Sequence, residues 1–151
     1  DKNSFKIICR SGFKLDKQDH LAWLHTQLQG WKPDLIVLDV FNRLHSMDVN
    51  NASEMRQIIL ELDGLRNKHR CAVLCVIHFK KQQVGGEGGP PGQQISGSLA
   101  LHAFSECSMY LVPRDGDRKH LVFEAKEYEP PHSVDLDIAE KDERLTLAVK
   151  D

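Results

Sequence analysis

The sequence lacks the features that would place it in a specialised class of protein. No apolar run approaches the roughly 18 residues that a membrane-spanning helix needs. The four cysteines show no C-x-x-C spacing, and the eight histidines show no spacing typical of metal ligands. The net charge of −2 argues against a generally basic nucleic-acid binder, although a local basic patch stays open. We therefore expect a soluble, cytoplasmic protein with free thiols and no membrane partner.

What the sequence does contain is the composition of an ordinary globular domain. Hydrophobic residues make up 40% and charged residues 28% of the 151 residues. That length favours one domain, residues 1–151, with a substantial core. The first ten residues, DKNSFKIICR, contain no methionine and run at once into a strand-like segment, so we expect the chain to be part of a longer protein.

Three apolar runs in the first half predict strands, at residues 5–9, 35–38 and 71–78. The run at 35–38 shows no polar alternation, which is typical of a sheet covered on both faces. The cysteines within 71–78 would then be buried thiols, and we expect the same of Cys107 in its apolar surroundings.

Two helices separate these runs. Leucines at helical spacing predict a helix over about 17–29, with Asp16 as its N-cap. A second helix, over about 52–68, begins with the capping-box spacing of Asn51 and Glu54. The order strand, helix, strand, helix, strand predicts a parallel sheet with helices on both faces.

The second half of the chain changes character. Residues 82–97 are rich in glycine, proline and glutamine and predict a mobile loop, and a short helix over 99–106 follows. The fold class is therefore α/β, with a parallel part over 1–81 and antiparallel hairpins within 98–151. The strands of those hairpins are predicted at 108–113, 119–125, 134–138 and 145–149.

Two polar side chains follow the predicted buried strands. Asp39 ends one strand and His78 ends the next, and ligands of open α/β sheets bind beyond the carboxyl ends of the strands. A carboxylate there can hold Mg²⁺ beside nucleotide phosphates, the arrangement known as Walker B. Two other interpretations stay open: Asp39 caps the turn that follows it, or both side chains form the acid–base pair of a small-molecule enzyme.

The order and spacing of these segments resemble the later two-thirds of a RecA-like ATPase core, closest to the RepA-like hexameric replicative helicase family. The resemblance implies a DNA-associated ATPase of the helicase, replication or repair type, with Mg²⁺ and ATP as cofactors. It also implies single-stranded DNA as partner and a ring-forming homo-oligomer. A non-catalytic interaction or oligomerisation module stays open as an alternative. The segments that carry the resemblance are residues 34–45, 50–65, 71–81, 95–112 and 121–131.

The resemblance implies roles for individual residues near the nucleotide. Asp39 resembles the Walker B aspartate that orders Mg²⁺. His78 resembles the polar residue that senses the γ-phosphate, with a satisfied strand-end histidine as the alternative. Lys126 resembles the basic residue that stabilises a neighbouring subunit's γ-phosphate, although Tyr128 stands where some relatives carry an arginine. Arg43 is a further candidate for phosphate contact, or for a surface salt bridge.

The resemblance also implies a nucleic-acid contact. Residues 82–97 are similar to the DNA-facing loop that lines the channel of a hexameric ring, with a surface insertion as the alternative. The residues at the two ends of this loop are the candidate contacts, with solvated lysines and N-capping serines as the alternative: Lys80, Lys81, Ser96, Gly97 and Ser98.

One motif of such ATPases is missing. The phosphate-cradling sequence G-x-x-x-x-G-K-S/T occurs nowhere in the 151 residues, and residues 85–92 supply glycines without the lysine. In the RecA-like order this loop precedes residue 1. We therefore expect that the chain alone does not hydrolyse ATP and binds neither Mg²⁺ nor ATP tightly. An open sheet edge in place of missing strands would favour self-association.

Overall fold

The computed structural model describes residues 5–78, 99–114, 118–141 and 144–149. The chain divides into two compact units, one ending at Leu101 and the other beginning at His102. A short 3₁₀ helix, Phe41–Arg43, follows the first strand. In chain order the other elements are α1 (Gln18–Gln29), β1 (Leu35–Leu38), α2 (Ala52–His69), β2 (Ala72–Cys75), α3 (Leu99–Phe104), β3 (Cys107–Pro113), β4 (Arg118–Ala125), β5 (Val134–Lys141) and β6 (Arg144–Val149).

The first unit contains the predicted parallel pairing. β1 and β2 run parallel, with Leu35 opposite Ala72 and Leu38 opposite Cys75. The connection between them passes through α2, which is the βαβ unit that the sequence predicts. The strand predicted at 5–9 is wrong, because that segment forms no strand and Phe5 is 78% exposed. An apolar run forms a strand only where a neighbour pairs with its backbone, and the described residues provide no such partner.

The two faces of β1 differ. Ile36 and Leu38 are buried, whereas Leu35 is 48% and Val37 is 50% exposed. The prediction that helices cover both faces is therefore wrong for the part of the chain that the structure describes. β2 is shorter than its predicted range of 71–78, and the residues after Ala72 in this strand are half-buried.

Both long helices form close to the predicted bounds. α2 has the predicted cap: the side-chain oxygen of Asn51 accepts hydrogen bonds from the backbone N–H groups of Ser53 and Glu54. The Glu54 carboxylate in turn accepts from the backbone N–H of Asp48, so both parts of the cap satisfy otherwise unpaired donors. The residues that the helices bury are Leu21, Leu24 and Leu28 of α1 and Met55, Ile58, Leu62 and Leu65 of α2.

The start of α1 differs from the prediction. Lys17 occupies the N-cap position, without a side-chain cap. The Asp16 carboxylate instead accepts a hydrogen bond from the backbone N–H of Ser46, at 2.8 Å. The predicted N-cap role of Asp16 is therefore wrong, because a segment 30 residues further along the chain captures its oxygen.

The second unit is a four-stranded antiparallel sheet in the order β3-β4-β5-β6. Both predicted hairpins are confirmed, with Tyr110 opposite Val122 in the first and Ile138 opposite Leu147 in the second. The prediction of a buried thiol at Cys107 is wrong, since this side chain is exposed at the start of β3. The molecule is thus mixed α/β, with a short parallel sheet, its helices and a C-terminal antiparallel sheet.

Candidate functional site

Asp39 lies at the carboxyl end of β1, where the ladder with β2 changes its spacing. The N–H of Val76 donates to the carbonyl of Leu38 at 3.0 Å, and the carbonyl of Val76 accepts from the N–H of Phe41 at 2.9 Å. In a regular parallel ladder, the two residues that bond to the same partner residue are separated by one residue. Here Leu38 and Phe41 both bond to Val76, and two residues, Asp39 and Val40, lie between them. This local bulge is the kind of feature that redirects a side chain at the end of a strand.

The Asp39 side chain is exposed, and within the described ranges it makes no hydrogen bond or ion pair. Carboxylate oxygens are preferred ligands of Mg²⁺, which commonly binds through one or two carboxylates together with substrate phosphates and water. A carboxylate that is accessible and not engaged elsewhere fits that use. Over the residues that the structure covers, no cluster of three or more His, Cys, Asp or Glu side chains could hold a metal ion.

His78 follows β2 by three residues and is exposed. Because β1 and β2 are parallel neighbours, Asp39 and His78 both emerge at the carboxyl edge of the same two-stranded sheet. The described coordinates contain no hydrogen bond between these two side chains, so a directly coupled acid–base pair is not formed. Both the carboxylate and the imidazole are exposed to solvent beyond this edge.

Arg43 ends the 3₁₀ helix that follows Asp39, and its side chain is exposed. In the ranges covered by the structure, the guanidinium takes part in no ion pair, so the salt bridge considered from the sequence is not observed there. The carbonyl of Arg43 accepts a hydrogen bond from Lys14 Nζ at 2.9 Å. Its backbone is therefore anchored while its charge stays available.

His45 is a buried residue near this edge that sequence reasoning missed. It is 4% exposed, its ring lies 5.0 Å from the ring of Phe41, and its Nδ1 is 3.2 Å from the carbonyl of Met47. Because a carbonyl can only accept, Nδ1 donates, which leaves Nε2 as a buried nitrogen without a hydrogen-bond partner among the described groups. Burial lowers the pKa of this imidazole. A single histidine after Arg43 and Leu44 gave no periodic signal that would have identified it.

Lys126 lies in the second unit, just after β4. Its Nζ donates to the carbonyl of Ala103 at the end of α3, and its backbone N–H donates to the carbonyl of Glu106 at 3.2 Å. Tyr128 is 56% exposed two residues later.

The neighbouring strand residue Glu124 joins the same helix to the sheet. Its Oε2 accepts from Tyr110 Oη at 2.7 Å and lies 3.0 Å from His102 Nε2. Burial raises the pKa of Tyr110, and the adjoining carboxylate adds to this, so that the pKa reaches about 12. The phenol thus stays protonated and keeps donating to Glu124.

The predicted nucleic-acid contacts lie outside the described residues. This applies to the loop 82–97 and to the residues at its ends, Lys80, Lys81, Ser96, Gly97 and Ser98. No described helix is long and apolar enough to cross a membrane.

Comparison with known families identifies one match. A family model described as AAA domain matches residues 9–84, which is just over half of the chain. The matched range includes β1, the Asp39 bulge, α2, β2 and His78. No curated protein matches the chain significantly.

Proposed function

Because the chain belongs to the AAA domain family of P-loop ATPases, we propose that the edge carrying Asp39 and His78 is the magnesium- and γ-phosphate-facing side of an ATP site. The observation that carries the proposal is the Asp39 carboxylate. It is exposed at the carboxyl end of a parallel strand and has no hydrogen bond or ion pair within the described ranges. Ligands of α/β sheets bind at such an edge, and structural roles for this carboxylate find no contact to support them.

Asp39 is the residue that would hold the metal. When bound beside a triphosphate, Mg²⁺ would supply positive charge that offsets the negative charge growing during phosphoryl transfer. Asp39 would orient the ion directly or through water, as one carboxylate within a largely aqueous coordination shell.

The side chains of His78, Arg43 and Lys126 would contact the phosphates. The exposed imidazole of His78 can donate one hydrogen bond to a γ-phosphate oxygen, and that bond is lost once the phosphate leaves. Arg43 offers an exposed guanidinium, which suits phosphate oxygens. We assign Lys126 to contact with the γ-phosphate of a neighbouring subunit, although its hydrogen bond to Ala103 would have to be exchanged for that contact.

Within the P-loop ATPases, the proposed function is that of a DNA-associated motor of the helicase, replication or repair type. The support is the resemblance of residues 34–131 to a RecA-like core, taken together with the family match. In this proposal single-stranded DNA contacts the loop 82–97, and copies of the protein form a ring. The 151 residues contain no phosphate-cradling G-x-x-x-x-G-K-S/T sequence, so in this proposal the chain alone would bind nucleotide weakly and would not turn it over.

Mn²⁺ titration of the isotopically labelled chain tests the metal assignment. Mn²⁺ replaces Mg²⁺ at oxygen sites, and its unpaired electrons broaden nearby amide signals even when binding is weak. We expect broadening around Asp39 and His78 that disappears in Asp39→Asn. The matched control is Asp34→Asn, which removes an exposed carboxylate just before the opposite end of β1. Equal broadening in Asp39→Asn and the unaltered chain would remove the assignment.

A further inference from the structure

Residues 14–16 form a strap across the segment that follows Asp39. Lys14 Nζ donates to the carbonyls of Arg43 and His45, at 2.9 and 3.0 Å. The N–H of Leu15 donates to the carbonyl of Leu44 at 2.6 Å. At the far end of the strap, as noted above, the Asp16 carboxylate accepts from the N–H of Ser46. Four hydrogen bonds thus join two three- to four-residue segments that are about 30 residues apart in sequence.

The strap holds the segment that follows the Asp39 turn, and Val76, directly after β2, holds the two residues that flank the turn. The backbone of Val76 bonds to Leu38 and to Phe41. Asp39 and Val40, between those two residues, make no backbone hydrogen bond to Val76. Leu15, within the strap, and Phe41, at the start of the 3₁₀ helix, are both 0% exposed, so each segment also buries an apolar side chain. Phe41 also begins the 3₁₀ helix whose last residue, Arg43, is anchored by Lys14, so Val76 and the strap hold the two ends of the segment that continues from Asp39.

Lys14 is suited to this task by its charge. The carbonyls it meets belong to the end of the 3₁₀ helix and the turn after it, where unpaired carbonyl groups concentrate negative partial charge. An ammonium group can serve several acceptors at once, and bonds from a charged donor are stronger than bonds between neutral groups.

Asp16 completes the strap at its other end. Burial raises the pKa of this carboxyl, but the hydrogen bonds from Ser46, the backbone N–H of Asp16 and the charge of Lys17 together outweigh that effect, and the pKa ends below its ordinary value. The carboxylate therefore stays ionised near neutral pH and keeps accepting from Ser46.

We propose that Lys14 is a positioning residue for the metal-binding carboxylate of Asp39, acting through the backbone of residues 43–46. The inference rests on the proposed function, since it takes Asp39 as the magnesium ligand. It goes beyond that function because it assigns a role to a residue that touches neither metal nor nucleotide.

The sign of the effect separates positioning from simple electrostatics. Removal of a nearby positive charge strengthens the binding of a cation to a carboxylate. Loss of a group that orients a ligand weakens metal binding, typically by about 10–100-fold for partners that contact the ligand directly. Because Lys14 acts through the backbone and does not contact Asp39 directly, we expect Lys14→Met to raise the half-saturating Mn²⁺ concentration by about fivefold, below that range.

The experiment is Mn²⁺ titration of the full 151-residue chain, read from the amides on either side of Asp39. Lys14→Met keeps the aliphatic stem without the ammonium, Lys14→Arg restores a charged donor, and Lys32→Met removes an exposed lysine whose ammonium makes no hydrogen bond or ion pair within the described ranges. We expect weakened binding in Lys14→Met alone. Amides near the exposed Asp48 serve as the internal reference for adventitious Mn²⁺.

Hydrogen exchange provides a second readout that needs no metal. We expect the amides of Leu15 and Ser46 to exchange about tenfold faster in Lys14→Met, with an unchanged urea midpoint for the chain. Unchanged exchange, or Mn²⁺ binding that is equal or stronger in Lys14→Met, would overturn the positioning role and leave the Asp39 assignment standing. Broadening that survives Asp39→Asn would instead overturn the proposed function and this inference with it.

Discussion

Arg70→Gly should stabilise the first unit of the protein. Arg70 is the C-cap of α2 and has left-handed backbone angles, φ 52° and ψ 48°, while its N–H donates to the carbonyl of Arg66. A residue with a Cβ atom pays about 1–2 kcal/mol for this conformation, which glycine adopts without that cost. Glycine also has more conformational freedom in the unfolded chain, which returns about 0.5–1 kcal/mol of the gain. The net expectation is about 0.5–1 kcal/mol of added stability.

Urea unfolding followed by tryptophan fluorescence measures this change. Both tryptophans, Trp23 and Trp31, lie in the first unit, so the signal reports on the unit that contains α2. With a urea dependence of about 2 kcal/mol per molar, the midpoint should rise by about 0.3–0.5 M. The control Gln57→Gly places glycine at an exposed position inside α2 and should lower stability by about 1 kcal/mol. A midpoint that falls in Arg70→Gly, as in the control, would refute the reasoning from backbone conformation.

Two further predictions concern the helices of the same unit. His25 Nδ1 on α1 lies 2.8 Å from His69 Nε2 on α2, and burial, with a further contribution from Lys68, lowers the pKa of both imidazoles below 6.5. As the pH falls, the unfolded state therefore takes up protons before the folded state does. The contribution to stability is fully present above pH 6.5 and should be lost as the pH drops towards 5. An equally steep pH dependence of the urea midpoint in His25→Gln would contradict this. Asn51→Ala should lower the free energy of unfolding by about 1 kcal/mol through loss of the α2 cap, and equilibrium unfolding that matches the unaltered chain would show that the cap contributes nothing.

Sequence patterns predicted the elements whose determinants are local. The α2 cap depends on Asn51 and Glu54, three residues apart, and the hairpins depend on alternation within short strands. The position of Asp39 was predictable for the same reason, since an apolar run that ends in a carboxylate is a local pattern.

Two of the errors concern groups whose partners would be distant in sequence. The apolar segment 5–9 needed a neighbouring strand that the described chain does not supply. Asp16 has the local context of an N-cap, yet its carboxylate bonds to Ser46. Lys14 gave no signal at all, because its acceptors are backbone carbonyls, and a carbonyl is present at every residue whatever its side chain. Anchors of this kind carry no sequence pattern by which they could be recognised.

The exposure of Asp39 bears on why a carboxylate ends this strand. A buried charge must be paired or hydrogen-bonded to be tolerated, and its loss then changes stability by several kcal/mol. Asp39 is exposed and makes no such contact within the described ranges, so its replacement by asparagine should change the free energy of unfolding by less than about 0.5 kcal/mol. Folding therefore gives no reason for the carboxylate. In the function proposed above, the carboxylate at this edge is explained by the metal that it would bind, and an Asp39→Asn variant of normal stability that loses Mn²⁺ would separate binding from folding directly.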